Sequence, residues 1–219
     1  MRLNQNDKTG LAIVTGASAG LGTGFAEHLA KRGQPLEALA ERLRAQVPVE
    51  VLAADLGAHD GAARVIDHVA GRPVATLINN AGSGVRGDFA TIDRVRQADM
   101  IRLNCIALMD LCHGVLPGMI AAKSGGILNI ASTAAFQPGP WMAVYYATKA
   151  FVLSFSEALH EEVRDQGVRV AALCPGPTHT EFAGVAGMTD MAMFARMASG
   201  PDAVVRDGLA ALDANVPKS

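Results

Sequence analysis

The sequence predicts a doubly wound α/β fold, in which a parallel sheet carries helices on both of its faces. Short β-branched runs alternate with longer segments of helical periodicity, which is the pattern of successive βαβ units. Half of the 219 residues are apolar and only 18% are charged, as suits a compact fold with a fully buried sheet. The length predicts one domain over residues 1–219, because two ordinary domains and a linker need more chain.

Five strands and five helices, taken in chain order, support this prediction. The predicted strands are Leu11–Thr15, Val49–Ala54, Ala75–Asn79, Gly126–Ala131 and Arg169–Cys174. The predicted helices are Leu21–Arg32, Leu36–Ala45, Ala62–Val69, Met100–Ala122 and Val144–Gln166. Such an alternation is typical of a Rossmann-type sheet.

One crossover in this scheme is incomplete, because no strand separates the helix ending near Arg32 from the helix beginning near Leu36. A parallel sheet needs a strand at that point, since the first helix returns the chain to the starting edge. Either the sheet is mixed, or a segment holding the second strand is missing from the sequence. We expect the second case, with a chain break between Gly33 and Glu37, most simply after Pro35.

Composition excludes several classes of protein. A net charge of −2 provides no basic surface for nucleic acid. No run reaches the roughly 18 apolar residues of a membrane span, and the N-terminus lacks the apolar run of a signal peptide, so we expect a cytoplasmic protein without a membrane partner. The histidines lack metal-binding spacing, so no metal site is expected. We interpret the cysteines, which lack CxxC spacing, as reduced core residues: Cys105, Cys112 and Cys174.

A glycine-rich turn, TGASAGLG at Thr15–Gly22, joins the first strand to the first helix. Glycines there let the backbone approach a pyrophosphate, whose charge is met by free N–H groups at the helix start. The spacing is GxxxGxG rather than the commoner GxGxxG. The same turn matches the nucleophile elbow of α/β-hydrolases, with Ser18 as nucleophile. That alternative is weaker, because only His179 lies in a late loop and no HGGG-like oxyanion segment is present.

Tyr145 and Lys149 are four residues apart and are therefore neighbours on one helical face. An ammonium beside a phenol favours the phenolate and so lowers the tyrosine pKa. A tyrosine with a lowered pKa can act as a general acid or base. Tyr146 lies three residues from Lys149 and is the competing candidate.

These motifs and their order resemble the short-chain dehydrogenase/reductase family in its single-domain form, over nearly the whole chain. The matching elements are TGASAGLG at Thr15–Gly22, Asp55, NNAG at Asn79–Gly82, Asn104, Ser132, YxxxK at Tyr145–Lys149 and PGPTHT at Pro175–Thr180. In the family the catalytic serine precedes the tyrosine by about a dozen residues. Ser132 lies 13 residues before Tyr145, which favours Tyr145 over Tyr146.

The resemblance implies an oxidoreductase that transfers a hydride between NAD(P)(H) and a carbonyl compound or secondary alcohol. Tyr145 would exchange a proton with the substrate oxygen, and Ser132 would orient that oxygen. Lys149 would bind the nicotinamide ribose and lower the pKa of Tyr145. Asn104 would hold a water that links Lys149 to solvent, and a buried asparagine at a helix kink is the alternative.

The resemblance also implies a set of cofactor contacts around the sheet edge. Asp55 would meet the adenine amino group, and a plain helix N-cap is the alternative for it. The full set is Gly16, Ser18, Ala19, Gly20, Leu21, Gly22, Asp55, Leu56, Asn80, Ala81, Gly82, Tyr145, Lys149, Pro175, Gly176, Thr178 and Thr180.

Cofactor preference and substrate are less determined by the sequence. The residue that selects NAD or NADP usually ends the second strand, which is the missing one. The run ATKAFVLSFSEAL resembles NADP-dependent members, so NADP(H) is preferred. Four bulky residues and the methionine-rich stretch Glu181–Met197 suggest an apolar pocket for a small apolar carbonyl compound or alcohol: Phe136, Trp141, Met142 and Phe182.

Two further expectations concern assembly and catalysis. Helices Asn104–Ala122 and Tyr146–Val163 are apolar over more than one face, and excess apolar helix surface generally needs a partner. We therefore expect a homodimer or homotetramer. A non-catalytic sensor of nicotinamide nucleotides on the same fold is the alternative function. A sensor would have no need of the complete set of asparagine, serine, tyrosine and lysine.

Overall fold

The computed structural model describes residues 10–17, 21–22, 25, 50, 52–177 and 200–219. Within these residues four strands form one parallel sheet in the order β1-β2-β3-β4. The strands are β1 Leu11–Val14, β2 Val74–Asn79, β3 Gly125–Ile130 and β4 Val168–Leu173. Each bound lies within one residue of the prediction, so these four strands are confirmed.

Five α-helices are described: α1 Gly61–Val69, α2 Arg94–Ile101, α3 Leu108–Ala122, α4 Ala143–Val163 and α5 Pro201–Ala214. A π-helical segment, Arg102–Ala107, joins α2 to α3, so the helix predicted from Met100 begins earlier and is not uniformly α-helical. Asp93 sets this start, because its side chain accepts a hydrogen bond from the backbone N–H of Val95. Short 3₁₀ turns follow β3 at Thr133–Phe136 and α4 at Arg164–Gln166.

The core lies on both faces of the sheet, because successive strand residues point to opposite sides. Ile78 and Leu128 belong to the cluster that includes Leu209 of α5. Their neighbours Leu77 and Ile127 belong to the cluster formed with α3 and α4. All four strand side chains are fully buried. The predicted doubly wound arrangement is therefore confirmed.

The strand predicted at Val49–Ala54 is wrong for residues 52–54, which have no strand structure. Among the described residues β1 pairs only with β2, so residues 52–54 have no ladder partner. Side chains hold this part of the chain instead: Arg72 donates two hydrogen bonds to Glu50, and Arg64 donates to the carbonyl of Ala53. The predicted break between Gly33 and Glu37, the helix Leu36–Ala45 and the stretch Glu181–Met197 lie outside the described residues.

One helical stretch of the described chain, Arg94–Ala122, is long and apolar enough to cross a membrane by length and composition alone. In the fold, one side of this stretch packs against the sheet, and Leu111 and Met119 are each 1% exposed. Packing against the sheet therefore accounts for part of the apolar composition of this stretch.

Candidate active site

The carboxyl ends of the four parallel strands meet at one edge of the sheet, where ligands bind in open α/β folds. Gly16, Asn80, Ser132 and Pro175 each follow one of the strands. Helix α4 brings Tyr145 and Lys149 to the same edge, where Lys149 Nζ donates to the carbonyl of Ile130 at the end of β3. Residues far apart in the chain are therefore assembled in one place.

Thr15 connects the glycine-rich turn to the NNAG segment. Its Oγ1 accepts hydrogen bonds from the backbone N–H groups of Asn80 and Ala81, at 3.0 and 2.9 Å. Asn80 Nδ2 donates in return to the carbonyls of Thr15 and Gly16, at 3.0 and 3.2 Å. Thr15 begins the TGASAGLG motif but was not assigned a role from the sequence. Its contacts depend on a residue 65 positions away, which no local pattern indicates.

The described glycines of the turn are required by close backbone packing. Gly16 has φ of 62° and lies against Ala81, since a Cβ added to it would stand 3.0 Å from the Ala81 Cα. A Cβ on Gly22 would clash with the carbonyl oxygen of Gly16. Only glycine allows this approach. The described part of the turn therefore has the compact backbone that a pyrophosphate-binding turn needs.

Tyr145, Ser132 and Lys149 form the chemical centre of the site. Tyr145 is 8% exposed, and its hydroxyl is hydrogen-bonded to the Ser132 side chain. Ser132 Oγ also accepts from the backbone N–H of Ala134 at 3.1 Å, which fixes the serine at the start of a 3₁₀ turn. Lys149 Nζ lies 5.9 Å from the Tyr145 ring centroid and donates to the carbonyl of Ile130 at 2.7 Å. One of the three ammonium N–H donors is thereby used.

Burial controls the electrostatics of this centre. It raises the pKa of Tyr145 to about 12, although the hydrogen bond with Ser132 acts to lower that pKa. It lowers the pKa of Lys149 to about 8. The expected lowering of the Tyr145 pKa by Lys149 is wrong for this structure, because Lys149 is not among the groups that shift this pKa and a buried phenolate loses hydration. The structure holds Tyr145 as a neutral proton donor at neutral pH.

Asn104 lies in the π-helical segment and is 2% exposed. Its Nδ2 donates to the Ser83 carbonyl at 2.9 Å and to Thr148 Oγ1 at 3.0 Å, while its Oδ1 accepts from the Ser83 N–H. Both amide donors are thus engaged, which agrees with the alternative of a buried asparagine at a helix irregularity. π-helical turns often occur at functional sites. The water-holding role stays a prediction.

Tyr146 occupies a different environment from Tyr145. Its ring makes an edge contact with the Tyr145 ring, with centroids 6.0 Å apart. A Cβ on Gly139 would clash with the Tyr146 ring, so the ring packs closely on that loop. Ser132 hydrogen-bonds the hydroxyl of Tyr145. The geometry therefore agrees with the serine spacing in favouring Tyr145.

Some of the remaining predicted cofactor contacts lie around the same edge of the sheet, and the others lie outside the described residues. A Cβ on Gly82 would stand 3.7 Å from Lys149 Nζ, whereas a Cβ on Gly176 would meet nothing within 4 Å. Asp55 is exposed and accepts from the Gly57 N–H; the N-cap of α1 is Asp60, so the helix-cap alternative for Asp55 is wrong. Leu21 and Leu56 are half-buried against the two core clusters. The predicted contacts outside the described residues are Ser18, Ala19, Gly20, Thr178 and Thr180.

Gly22→Ala should weaken cofactor binding at least tenfold, because the added methyl group would force the turn away from the Gly16 carbonyl. Fluorescence titration with reduced nicotinamide nucleotide measures the effect. Gly118→Ala is the matched control, since a Cβ there meets nothing within 4 Å in α3. The control should retain affinity and gain about 0.5–1 kcal/mol of stability. Equal affinities for both variants would contradict the role of the turn.

Comparison with known proteins identifies relatives over most of the chain. A family model described as short chain dehydrogenase matches residues 10–190. The chain is 33% identical over 189 residues to the very-long-chain 3-oxoacyl-CoA reductase of Homo sapiens, covering 78% of this chain and 60% of that protein. It is 37% identical over 192 residues to the sulfoacetaldehyde reductase of Chromohalobacter salexigens, covering 80% and 74%. The chain therefore spans about 60% of the length of the human reductase.

Solved structures give the same result. A short-chain dehydrogenase from Sphingobium yanoikuyae in complex with NADPH superposes with a TM-score of 0.88 at 33% identity, covering 96% of this chain and 87% of that chain. An alcohol dehydrogenase from Comamonas testosteroni, described as specific for bulky-bulky ketones, superposes with a TM-score of 0.85 at 29% identity, covering 97% and 86%.

Proposed function

Because the chain belongs to the short-chain dehydrogenase family, we propose that it transfers a hydride between NAD(P)(H) and a carbonyl compound or secondary alcohol. The observation that carries this proposal is the buried hydroxyl of Tyr145, hydrogen-bonded to Ser132 and accompanied by the Lys149 ammonium. This arrangement combines a proton donor, a group that orients oxygen and a buried cation at the carboxyl edge of the sheet.

In the reductive direction a bound reduced nicotinamide nucleotide would supply the hydride that the carbonyl carbon accepts. Ser132 hydrogen-bonds the carbonyl oxygen and orients it toward Tyr145. Tyr145 donates its hydroxyl proton to that oxygen as charge develops, so the product is the neutral alcohol. The remaining N–H donors of Lys149 bind the nicotinamide ribose, and its charge stabilises the transient Tyr145 phenolate. Proton uptake from solvent restores Tyr145 for the next cycle.

The charge states of the site favour reduction at neutral pH. A Tyr145 pKa of about 12 keeps the phenol protonated, and a Lys149 pKa of about 8 keeps the ammonium charged below that pH. Both groups then have the form that reduction needs. Alcohol oxidation requires the phenolate and should increase toward alkaline pH.

The function is tested by following NADPH and NADH oxidation with a panel of ketones and aldehydes, at neutral pH and with the purified full chain. Turnover above background supports the proposal. No turnover with any carbonyl compound, and no alcohol oxidation at alkaline pH, would contradict it.

We propose NADP(H) as the preferred cofactor, with support from the NADPH complex of the Sphingobium enzyme. A higher kcat/KM with NADH would overturn that preference.

The proposed cofactor contacts fit a nicotinamide nucleotide. Gly16 and Gly22 form a tight turn, Gly82 lies beside Lys149, and the position next to Gly176 is open. Asn80 holds the turn against the NNAG segment through its amide. Gly16, Gly82 and Gly176 are exposed, as close approach of a pyrophosphate and ribose requires.

The substrate proposed for this site is a small apolar carbonyl compound or alcohol. An open cavity is lined mainly by apolar groups, among them Val85, Phe89, Trp141, Met142 and Val144. Met142 also belongs to the apolar cluster that contains Tyr145, and Val85 and Val144 pack against that cluster, so the cavity adjoins the cluster. Phe89 and Trp141 are 65% and 64% exposed, which leaves aromatic surface available to a substrate.

Trp141→Ala should raise KM for a bulky apolar ketone at least about fivefold while changing KM for the nucleotide less than twofold. The indole is exposed beside the cavity, and Trp141 is held by the hydrogen bond from the Gly87 N–H to its carbonyl, despite a φ of 62°. Steady-state kinetics with a bulky and a small ketone measure the difference. The sequence predicted Phe136 in the apolar pocket, but its exposed ring does not line this cavity, so that prediction is wrong for this cavity. Phe136→Ala is therefore the control. Equal effects from both would argue against Trp141 as a substrate contact.

We propose a homodimer or homotetramer, because large exposed apolar side chains concentrate on the helices around α3 and α4. Ile101, Ile106, Met109 and Phe151 are each 40% to 48% exposed. Light scattering at micromolar concentration should give at least twice the monomer mass. Phe151→Glu should shift this mass toward the monomer, whereas Val216→Glu, at another exposed apolar residue, should not. A monomeric wild-type protein would overturn the proposal.

A cytoplasmic location without a membrane partner is also part of this proposal. The apolar stretch Arg94–Ala122 supplies buried side chains to the core through Leu111 and Met119. Recovery of the full chain in the supernatant after high-speed centrifugation supports the proposal, and recovery with the membrane fraction would contradict it.

A further inference from the structure

Four buried polar side chains lie beneath the candidate active site and take no direct part in the proposed reaction. Asn79, Cys112, Asn129 and Ser156 are 4%, 1%, 0% and 0% exposed. We call these four residues the polar node. Buried polar groups are costly unless they are paired, so a cluster of four in an otherwise apolar core calls for a physical explanation.

Directional hydrogen bonds connect the node. Asn79 Nδ2 donates to Asn129 Oδ1 at 2.9 Å and lies 3.3 Å from Cys112 Sγ. Asn129 Nδ2 donates to Ser156 Oγ at 2.9 Å, and Ser156 Oγ donates to the Val152 carbonyl at 2.7 Å. Asn129 therefore binds a strand neighbour through its oxygen and a helix through its nitrogen.

Each member of the node belongs to a different element, and each of these elements carries or lies close along the chain to a site residue. Asn79 ends β2 and directly precedes Asn80; Asn129 lies in β3, three residues before Ser132. Ser156 lies in α4, two helical turns after Lys149, and Cys112 lies in α3 after Asn104.

Two side-chain hydrogen bonds between β3 and α4 lie on adjacent strand residues. Ser156 binds Asn129, and Lys149 binds the carbonyl of Ile130. Helix α4 is thus attached to β3 at two points, one of which involves a site residue.

Resting on the proposed function, we propose that Asn129 is a positioning residue, which sets the placement of Ser132 relative to Tyr145 by binding Ser156 on α4 and Asn79 on β2. The Ser132–Tyr145 contact joins the end of β3 to α4, so its length depends on how these two elements slide past each other. Apolar packing fixes their separation but tolerates small shifts along the strand. A pair of hydrogen bonds at Asn129 does not, because hydrogen bonds weaken steeply with misalignment. A displacement of about 1 Å at a reacting group can cost about 100-fold in rate.

A stabilising role and a positioning role predict different kinetic results for the node. Replacing both partners of a buried hydrogen bond by apolar groups of similar shape can leave stability nearly unchanged. A node that only stabilised the core would therefore influence unfolding and not the division of effects between kcat and KM. A node that positions Ser132 would lower kcat with little change in nucleotide affinity.

The test compares Ser156→Ala with Val163→Ala, a buried position of the same helix outside the node. Ser156→Ala should lower kcat at least about fivefold and change nucleotide KM less than twofold, whereas Val163→Ala should lose stability but keep kcat. Ser156→Cys, which replaces a single atom, is the second variant if Ser156→Ala does not fold. Its kcat should lie between that of the wild type and that expected for Ser156→Ala. Unchanged kcat in folded Ser156→Ala or Ser156→Cys would overturn the proposal.

A double-mutant cycle identifies the hydrogen bond that acts. If Asn129 and Ser156 act through one bond, Asn129→Ala combined with Ser156→Ala should lose no more kcat than Asn129→Ala alone. Losses that multiply would show independent effects and overturn the proposed role of the Asn129–Ser156 bond.

A spectroscopic measurement separates failure of this inference from failure of the proposed function. The chain has two tyrosines, so the Cζ resonance of Tyr145 can be assigned in isotope-labelled protein through Tyr146→Phe. Ser156→Ala should move this resonance, because the Ser132–Tyr145 hydrogen bond changes, and Val163→Ala should not. An unmoved resonance overturns the positioning role even if the enzyme is active. A moved resonance in a protein without oxidoreductase activity supports the positioning and rejects the proposed function.

Discussion

Tyr145→Phe should reduce turnover at least about 100-fold while leaving nucleotide affinity within a few-fold. The substitution removes one oxygen and retains the ring, so the packing around this 8% exposed side chain is preserved. What is lost is the proton donor and its hydrogen bond with Ser132. Steady-state kinetics give turnover, and fluorescence titration gives the affinity.

Tyr146→Phe is the matched control for this result. It removes the same atom from the adjacent residue, whose ring packs against Gly139 and makes an edge contact with Tyr145. Its turnover should stay within about threefold of the wild type, because the loss of the Tyr146 hydroxyl leaves the general acid Tyr145 in place. An inactive Tyr146→Phe with an active Tyr145→Phe would mean that the assignment of the proton donor is wrong.

Lys149→Met should reduce turnover at least about 100-fold and, at neutral pH, raise the free energy of unfolding. Turnover falls because the ammonium that stabilises the phenolate is lost. Stability rises because burial disfavours the charged lysine, whose pKa falls from 10.5 to about 8. After allowance for the lost hydrogen bond to the Ile130 carbonyl, the net gain should be on the order of 2 kcal/mol.

The pH dependence of this gain has a definite sign. Below pH 8 the folded wild-type protein carries the buried charge and its full penalty. As the pH rises from 8 toward 10.5 the folded state gives up the proton before the unfolded state does, so wild-type stability recovers. The advantage of Lys149→Met should therefore shrink over this range, as measured by denaturant unfolding at several pH values.

Lys123→Met is the control for both effects, because Lys123 is exposed at the end of α3. It should retain turnover, and at pH 7 it should not show the gain in the free energy of unfolding expected for Lys149→Met, because an exposed side chain carries no burial penalty. A Lys149→Met protein that is less stable than the wild type at pH 7 would contradict the burial penalty assigned to Lys149.

Local patterns in the sequence were sufficient for the parts of the fold that depend on neighbouring residues. The four strands follow from short β-branched runs, and their bounds agree to within one residue. The proximity of Tyr145 and Lys149 follows from helical periodicity alone. The serine spacing, read through the family resemblance, placed Ser132 at the same centre, where it binds Tyr145.

The wrong predictions of helices and strands have two sources. In some cases a local signal was overlooked, and in one case the structure depends on something that no local signal indicates. The early start of α2 is set by Asp93 as an N-cap, a signal that the sequence contained. Helix α5 begins with Pro201 in its first turn and was also not predicted, although proline at that position is a known start signal. The absence of strand structure at residues 52–54 reflects the lack of a pairing neighbour in the described part of the sheet, which apolar composition cannot indicate.

The sequence by itself determined which residues we propose to carry the chemistry, because their types and spacing are properties of the chain. Only the tertiary structure decided how those residues are held and charged. The Thr15–Asn80 contacts span 65 positions, the Asn104–Thr148 bond spans 44 and the Asn129–Ser156 bond spans 27. The pKa directions of Tyr145 and Lys149 depend on burial by many elements at once. Desolvation and hydrogen-bond geometry are properties of the packed molecule, so no local pattern of residues specifies them.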